Sequence, residues 1–225
     1  MNKGKLIVIE GASDGIGKTT QFDLIKEYLE NSGEKIINHH FPTYNEYQGK
    51  CVEEYLKGNF GKVEDLSPYF VNSLYAVDRA VTYNLKLKQG LEEGAIVLLD
   101  RYTTSSLIYQ SALIEDIEEK KKFLDYVVDF EYNKLGIKKP DHVIFLHAPL
   151  SIVNEMRKKR KELIGEVFEG DIHENDLEFM QKVYESAMFV AKYLNWDMID
   201  CSFDGKMKSI ESIHNEICDL IKREV

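Results

Sequence analysis

The most specific chemistry in this chain is carried by Glu10-Gly11-Ala12-Ser13-Asp14-Gly15-Ile16-Gly17-Lys18-Thr19-Thr20-Gln21. The segment follows the apolar run Leu6 to Ile9 and precedes a pattern of helical period from Thr19 to Glu30, so a glycine-rich turn joins a strand to a helix N-terminus. Backbone amides and the positive end of the helix dipole converge on an anion at such a turn. Lys18 is placed to neutralise β and γ phosphates, and the Thr19 hydroxyl to ligate Mg²⁺. Glycine turns alone are common, but Gly-Lys-Thr after an apolar strand is specific. The spacing has one irregularity: Ala12 stands where a glycine is usual, five residues before Gly17, and a glycine stands instead at Gly11. Alanine takes positive φ less cheaply than glycine, so the backbone near Ala12 and Ser13 is expected to follow a different path. The amides from Asp14 through Gly15, Ile16, Gly17, Lys18 and Thr19 to Thr20 should still face the anion.

Such a loop needs a sheet behind it. Apolar runs at Ile36-Ile37, Ala95 to Leu99, His142 to Leu146 and Trp196 to Ile199 read as further strands. Between them, segments near 47–57, 66–89, 103–133, 150–162, 172–194 and 207–223 hold enough helix formers to be helical. This alternation predicts an α/β, three-layer architecture: a central parallel five-stranded sheet flanked by helices, with ligands bound outside the carboxyl ends of the strands. No internal repeat or low-complexity linker interrupts residues 1–225, so a single domain is expected.

Composition narrows the partners. The 39 acidic residues against 29 basic ones give a formal charge of -10, which repels a polyanion, so nucleic acid is not an expected partner. Cys51, Cys201 and Cys218 are odd in number and widely spaced, which fits free thiols in a reducing compartment and a cytoplasmic location. The apolar run near the start is short and interrupted by Glu10, which suits neither a signal peptide nor a membrane span.

The loop resembles that of thymidylate kinases, Glu-Gly-x-Asp-x-x-Gly-Lys-Ser/Thr-Thr-Gln, with one extra residue here after Gly11. The resemblance runs over nearly the whole chain and implies a P-loop NTPase fold, ATP and dTMP as substrates, Mg²⁺ as cofactor and a homodimer. It places Asp14 near the nucleotide sugar and the metal shell, where a carboxylate can accept the 3′-hydroxyl of a deoxyribose. His40-Phe41-Pro42-Thr43-Tyr44 is similar to the family's Arg-Phe-Pro segment, which makes Phe41, Pro42 and Tyr44 acceptor contacts; His40 and Thr43 stand where relatives often carry arginine. Leu74-Tyr75-Ala76-Val77-Asp78-Arg79 resembles the helix that stacks an aromatic ring on thymine and aims an arginine at its carbonyl. Tyr75 and Arg79, four apart, share one helix face. The alternative for the last two residues is an ordinary Asp78 to Arg79 surface pair.

Asp100-Arg101-Tyr102 resembles the family's Asp-Arg-Tyr motif, which implies a water-bridged Mg²⁺ at Asp100 and an Arg101 that bridges donor and acceptor phosphates. Ser105 and Ser106 then fall near the thymine edge and Tyr109 against the 2′ position, favouring deoxyribose. Read without the resemblance, they are a helix cap and a core aromatic. The resemblance also implies a helical lid over ATP at approximately 157–172, with Arg157 packing on adenine and Arg160 reaching the phosphates. Because Gly15 and Ile16 carry no charge, the catalytic arginine must come from that lid. His147 receives no role, and Trp196 is read as structural. Two other readings remain: a kinase for another deoxynucleotide or a deoxynucleoside, and a nucleotide-gated switch. The second is weakened because Asn133-Lys134-Leu135-Gly136 lacks the carboxylate of a guanine-binding Asn-Lys-x-Asp.

Overall fold

A strand buried on both faces can satisfy its backbone polar groups only through a ladder, so the apolar runs pair with one another. In the computed structural model, which describes residues 4–164 and 177–224, β1 (Leu6–Gly11), β2 (Ile36–His40), β3 (Ile96–Asp100), β4 (His142–His147) and β5 (Asp197–Asp200) form one sheet. Its order is β2-β3-β1-β4-β5, and every neighbouring pair is parallel. The helices are α1 (Lys18–Asn31), α2 (Lys50–Leu56), α3 (Pro68–Thr82), α4 (Lys88–Glu92), α5 (Thr103–Tyr109), α6 (Ile117–Val128), α7 (Leu150–Ile164), α8 (Leu177–Tyr193) and α9 (Ile210–Glu224).

Alternate side chains of each central strand feed opposite layers, as a period of two requires. Ile7 and Ile9 of β1, with Ile96 and Leu98 of β3 and Ile144 and Leu146 of β4, pack under Phe22, Ile25 and Leu29 of α1 and Ile213, Ile217 and Ile221 of α9. On the other face, Leu6, Val8, Val97 and Leu99 meet Tyr83, Leu87, Leu91 and Tyr102. Beside them, Phe145 packs with Leu107 and Ile108 of α5, Phe123 and Val127 of α6, and Val183 and Ala187 of α8. These are the three layers read from the alternation of runs.

Several boundaries differ from the sequence reading. The second strand runs on to His40, which brings that side chain level with Asp100 of β3. The segment 103–133 is not one helix: Ser111 Oγ donates to the Leu107 carbonyl, and Asp116 starts α6 afresh by accepting from the Glu118 and Glu119 amides at 3.0 and 2.9 Å. Wider π turns at Tyr83–Leu87 and Asp129–Lys134 extend α3 and α6. The start of the segment expected to be helical near 172–194 lies outside the described residues.

Phe145 is fully buried between β4 and three helices. Phe145→Ala should cost about 3–5 kcal/mol, through lost transfer energy and a residual cavity. A urea or thermal unfolding curve measures this.

Candidate active site

The loop after β1 accommodates its extra residue by prolonging the strand. The Ala12 amide donates to the Leu146 carbonyl at 2.9 Å, and Ala12 is buried without positive φ. The left-handed turns fall at Gly15 and Gly17, with φ of 87° and 93°, and Gly17 leads directly into α1. Ile16 anchors the loop in the core so closely that a Cβ on Gly11 would meet its Cγ2 at 2.9 Å. A Cβ on Gly15 would meet Cγ of Arg157 at 2.7 Å, so the aliphatic stem of this α7 residue lies on the loop. The first amides of α1, at Lys18, Thr19 and Thr20, have no carbonyl one turn earlier within the helix, and both threonines are exposed.

Two ion pairs tie this loop to the end of β3. Lys18 donates to Asp100 Oδ1, while Nδ1 of His40 lies 2.9 Å from Asp100 Oδ2. Burial alone would push the Asp100 carboxyl up; the hydrogen bond to His40 and the charge and hydrogen bond of Lys18 outweigh it and hold the group at about 2. Burial lowers the Lys18 ammonium from its usual value, and the nearby Arg101 charge adds to this. The second pair is Arg101 Nη2 to Asp14 Oδ1 at 2.6 Å. Arg101 Nη1 also lies 3.4 Å from the Tyr109 hydroxyl, and its guanidinium sits 5.5 Å from the centre of that ring. Arg101 takes φ of 65°, a left-handed conformation that costs a non-glycine residue roughly 1–3 kcal/mol and is held here by its amide bond to the Ile9 carbonyl.

A cavity of about 240 Å³ opens beside these pairs. It brings together the positions singled out in the sequence: Asp14, Phe41, Pro42, Tyr44, Tyr75, Arg79, Arg101, Ser105, Ser106 and Tyr109 all line it. Arg79 and Tyr75 do share a helix face, with the guanidinium carbon 6.0 Å from the ring centre. The surface-pair reading of Asp78 and Arg79 is wrong, because both are buried. Asp78 accepts from the Thr43 amide at 2.7 Å, fastening the loop after β2 to α3. Arg157 stands over the glycine loop, whereas the Arg160 side chain and residues 165–172 of the expected lid at 157–172 lie outside the described residues. Asp100, expected as a metal contact, has one oxygen engaged by Lys18 and the other by His40.

Four cavity or support residues escaped the sequence reading as site groups. Glu10 is fully buried and accepts from the Gly11 amide, Thr104 Oγ1 and Ser105 Oγ at 3.0, 2.8 and 2.6 Å. Glu131, equally buried, binds Arg79 through both oxygens. Gln110 lines the cavity with its buried Oε1 unpartnered among the described residues, and His40 lines it too. A glutamate directly before the glycine loop was the one local signal; Glu131 lies 52 residues from its partner and no spacing rule reaches it. Among the described residues no three metal-ligating side chains cluster, and no helix is long and apolar enough to cross a membrane.

A glycine loop after the central parallel strand, with Asp100-Arg101 at the end of its neighbour, defines the class as a P-loop nucleotide kinase. The thymidylate kinase family model matches residues 9–217. The chain is 30% identical over 222 residues, 96% of each protein, to a probable thymidylate kinase of Thermococcus kodakarensis. It is 32% identical over 224 residues, 98% of each, to a thymidylate kinase of Thermoanaerobacter sp. strain X514. Its fold resembles the solved thymidylate kinase of Candida albicans with a TM-score of 0.71 at 23% identity, covering 98% of this chain and 92% of that one. The chain belongs to the thymidylate kinase family, whose members are nucleoside monophosphate kinases.

The depressed Asp100 carboxyl makes a pH prediction. A group whose folded value lies below its unfolded one stabilises the fold above the unfolded value, and that contribution is lost as pH falls through the folded one. Between about pH 4 and pH 2 the native protein should therefore lose on the order of 2 kcal/mol that Asp100→Asn does not lose, measured by denaturant midpoints across that range.

Proposed function

We propose that this protein transfers the γ-phosphoryl group of ATP to dTMP, giving dTDP and ADP, in the supply of dTTP. The observation that carries the reading is Arg101. It is held by Asp14 of the phosphate loop and at the same time lines the cavity that holds Tyr75, Arg79, Ser105, Ser106 and Tyr109. A cation spanning donor loop and acceptor pocket is what transfer between two phosphates requires.

The acceptor oxygen of a monophosphate is already ionised, so no strong general base is needed and catalysis reduces to positioning and charge neutralisation. Amides from Asp14, Gly15, Ile16, Gly17, Lys18, Thr19 and Thr20 wrap the ATP phosphates, and Lys18 supplies positive charge to the β and γ groups. Arg101 spans the two substrates; Arg157, already against Gly15, packs on adenine, and Arg160 reaches the phosphates from the ATP side. Tyr75 stacks on the base, Arg79 and Ser106 address its edge, and Phe41, Pro42 and Tyr44 bound the acceptor. Asp14 accepts from the sugar hydroxyl, Tyr109 crowds the 2′ position, and Ser105 joins Ser106 near the thymine edge.

Mg²⁺ fits the donor set. The Thr19 hydroxyl is exposed, and Asp100, its oxygens engaged by Lys18 and His40, would meet the ion through water; hard oxygens in such small number suit a cation that takes its other ligands from water and phosphate. Bound there, it would neutralise charge on the ATP phosphates. A homodimer agrees with Phe70 and Val77, exposed seven residues apart on α3, and a reducing cytoplasm with three free cysteines. The switch reading loses further ground, since Asn133 and Lys134 both engage Asp129.

A coupled ADP-release assay over dTMP, dUMP, dCMP, AMP and GMP, with water as the control acceptor, separates the readings. dTMP should give the highest kcat/KM. Lys18→Ala and Arg101→Ala should each lower kcat by roughly 100-fold or more with the fold retained by circular dichroism. Near-normal turnover in either variant sinks the assignment.

A further inference from the structure

Arg79 would ordinarily be a poor recognition group, because a long flexible cation at a pocket wall has many ways to point. Here it has almost none. Its Nε and Nη2 donate to the two oxygens of Glu131, each at 2.6 Å, and neither residue is appreciably exposed. The carboxylate is itself held, since Thr103 Oγ1 donates to Oε2 at 3.0 Å. This bidentate clamp occupies one edge of the guanidinium and fixes its plane. The other Nη2 hydrogen goes to Ser106 Oγ at 2.8 Å, with Asn72 Oδ1 farther off at 3.4 Å, and Nη1 keeps only a long 3.4 Å contact to the Tyr102 carbonyl.

The consequence falls on Ser106. Arg79 takes one lone pair of that hydroxyl and so fixes its orientation, leaving the Ser106 hydrogen to donate and a second lone pair open. Both Arg79 and Ser106 line the cavity, so its wall carries two neighbouring donors, the free Nη1 hydrogen and the Ser106 hydroxyl. A pyrimidine with a carbonyl at position 4 can accept from them. One with an amino group there offers Arg79, which can only donate, no acceptor and leaves its buried hydrogen unpaired.

We propose that Glu131 is a specificity-determining positioning residue, which by clamping Arg79 and, through it, orienting Ser106 makes the pocket select a 4-carbonyl over a 4-amino pyrimidine. The inference rests on the dTMP kinase reading. Glu131 touches no substrate; it acts through Arg79.

The test compares the native protein with Glu131→Gln, Glu131→Asp and Thr103→Val, measuring kcat and KM for dTMP and dCMP, KM for ATP and the thermal midpoint. Glu131→Gln should raise the dTMP KM by roughly tenfold or more and narrow the dTMP to dCMP ratio of kcat/KM by a similar factor, while the ATP KM stays within about twofold. Glu131→Asp keeps the charge and should recover part of the selectivity. Thr103→Val loosens the clamp without removing it, and decides the matter in the same direction if Glu131→Gln does not fold. Folded variants that keep the native dTMP KM and selectivity overturn the proposal. So does a parallel rise in both substrates' KM, which would mark Glu131 as a structural residue only. A native protein inactive on dTMP overturns the kinase reading itself and this inference with it.

Discussion

The parallel pairing of β1 with β3 is the constraint on which the rest of the site depends. It sets Ile9 opposite Asp100, and the Arg101 amide then reaches back to the Ile9 carbonyl. Two ion pairs hang from that junction. The loop after β1 supplies Asp14 and Lys18, the end of β3 supplies Asp100 and Arg101, and each member of one set pairs with a member of the other. A slip of one residue in this register would turn Asp100 toward the opposite face and break both pairs, because side chains alternate with a period of two. Burial of β1 and β3 on both faces makes such a slip prohibitive.

Charge packed this tightly must be matched. Glu10, Asp14 and Asp100 are answered by Lys18 and Arg101, with the remaining oxygens taken by hydroxyls, an amide and His40. Each buried ion is thus partnered, as its desolvation demands. A useful by-product is preorganisation: cations already stripped of water and fixed in place lose little further freedom when a phosphate arrives. The Arg79–Glu131 pair repeats the same economy beside Tyr75 and Ser106 of the cavity wall.

The amino-acid sequence by itself determined the local chemistry: the strand, glycine turn and helix that make a phosphate cradle, the alternation of runs that makes a three-layer parallel sheet, and the shared helix face of Tyr75 and Arg79. Each is a matter of residue type and short spacing, and short-range sterics and hydrogen bonding enforce such patterns wherever they occur. Even there the reading stopped short at boundaries, as where Asp116 restarts a helix inside 103–133. Only the tertiary structure decided which distant groups meet. Glu131 under Arg79, Glu10 under Thr104 and Ser105, the Arg157 stem on Gly15 and His40 on Asp100 join residues 52 to 142 positions apart. Such contacts follow from sheet order and helix packing, which the burial of the whole chain selects and which no local pattern encodes.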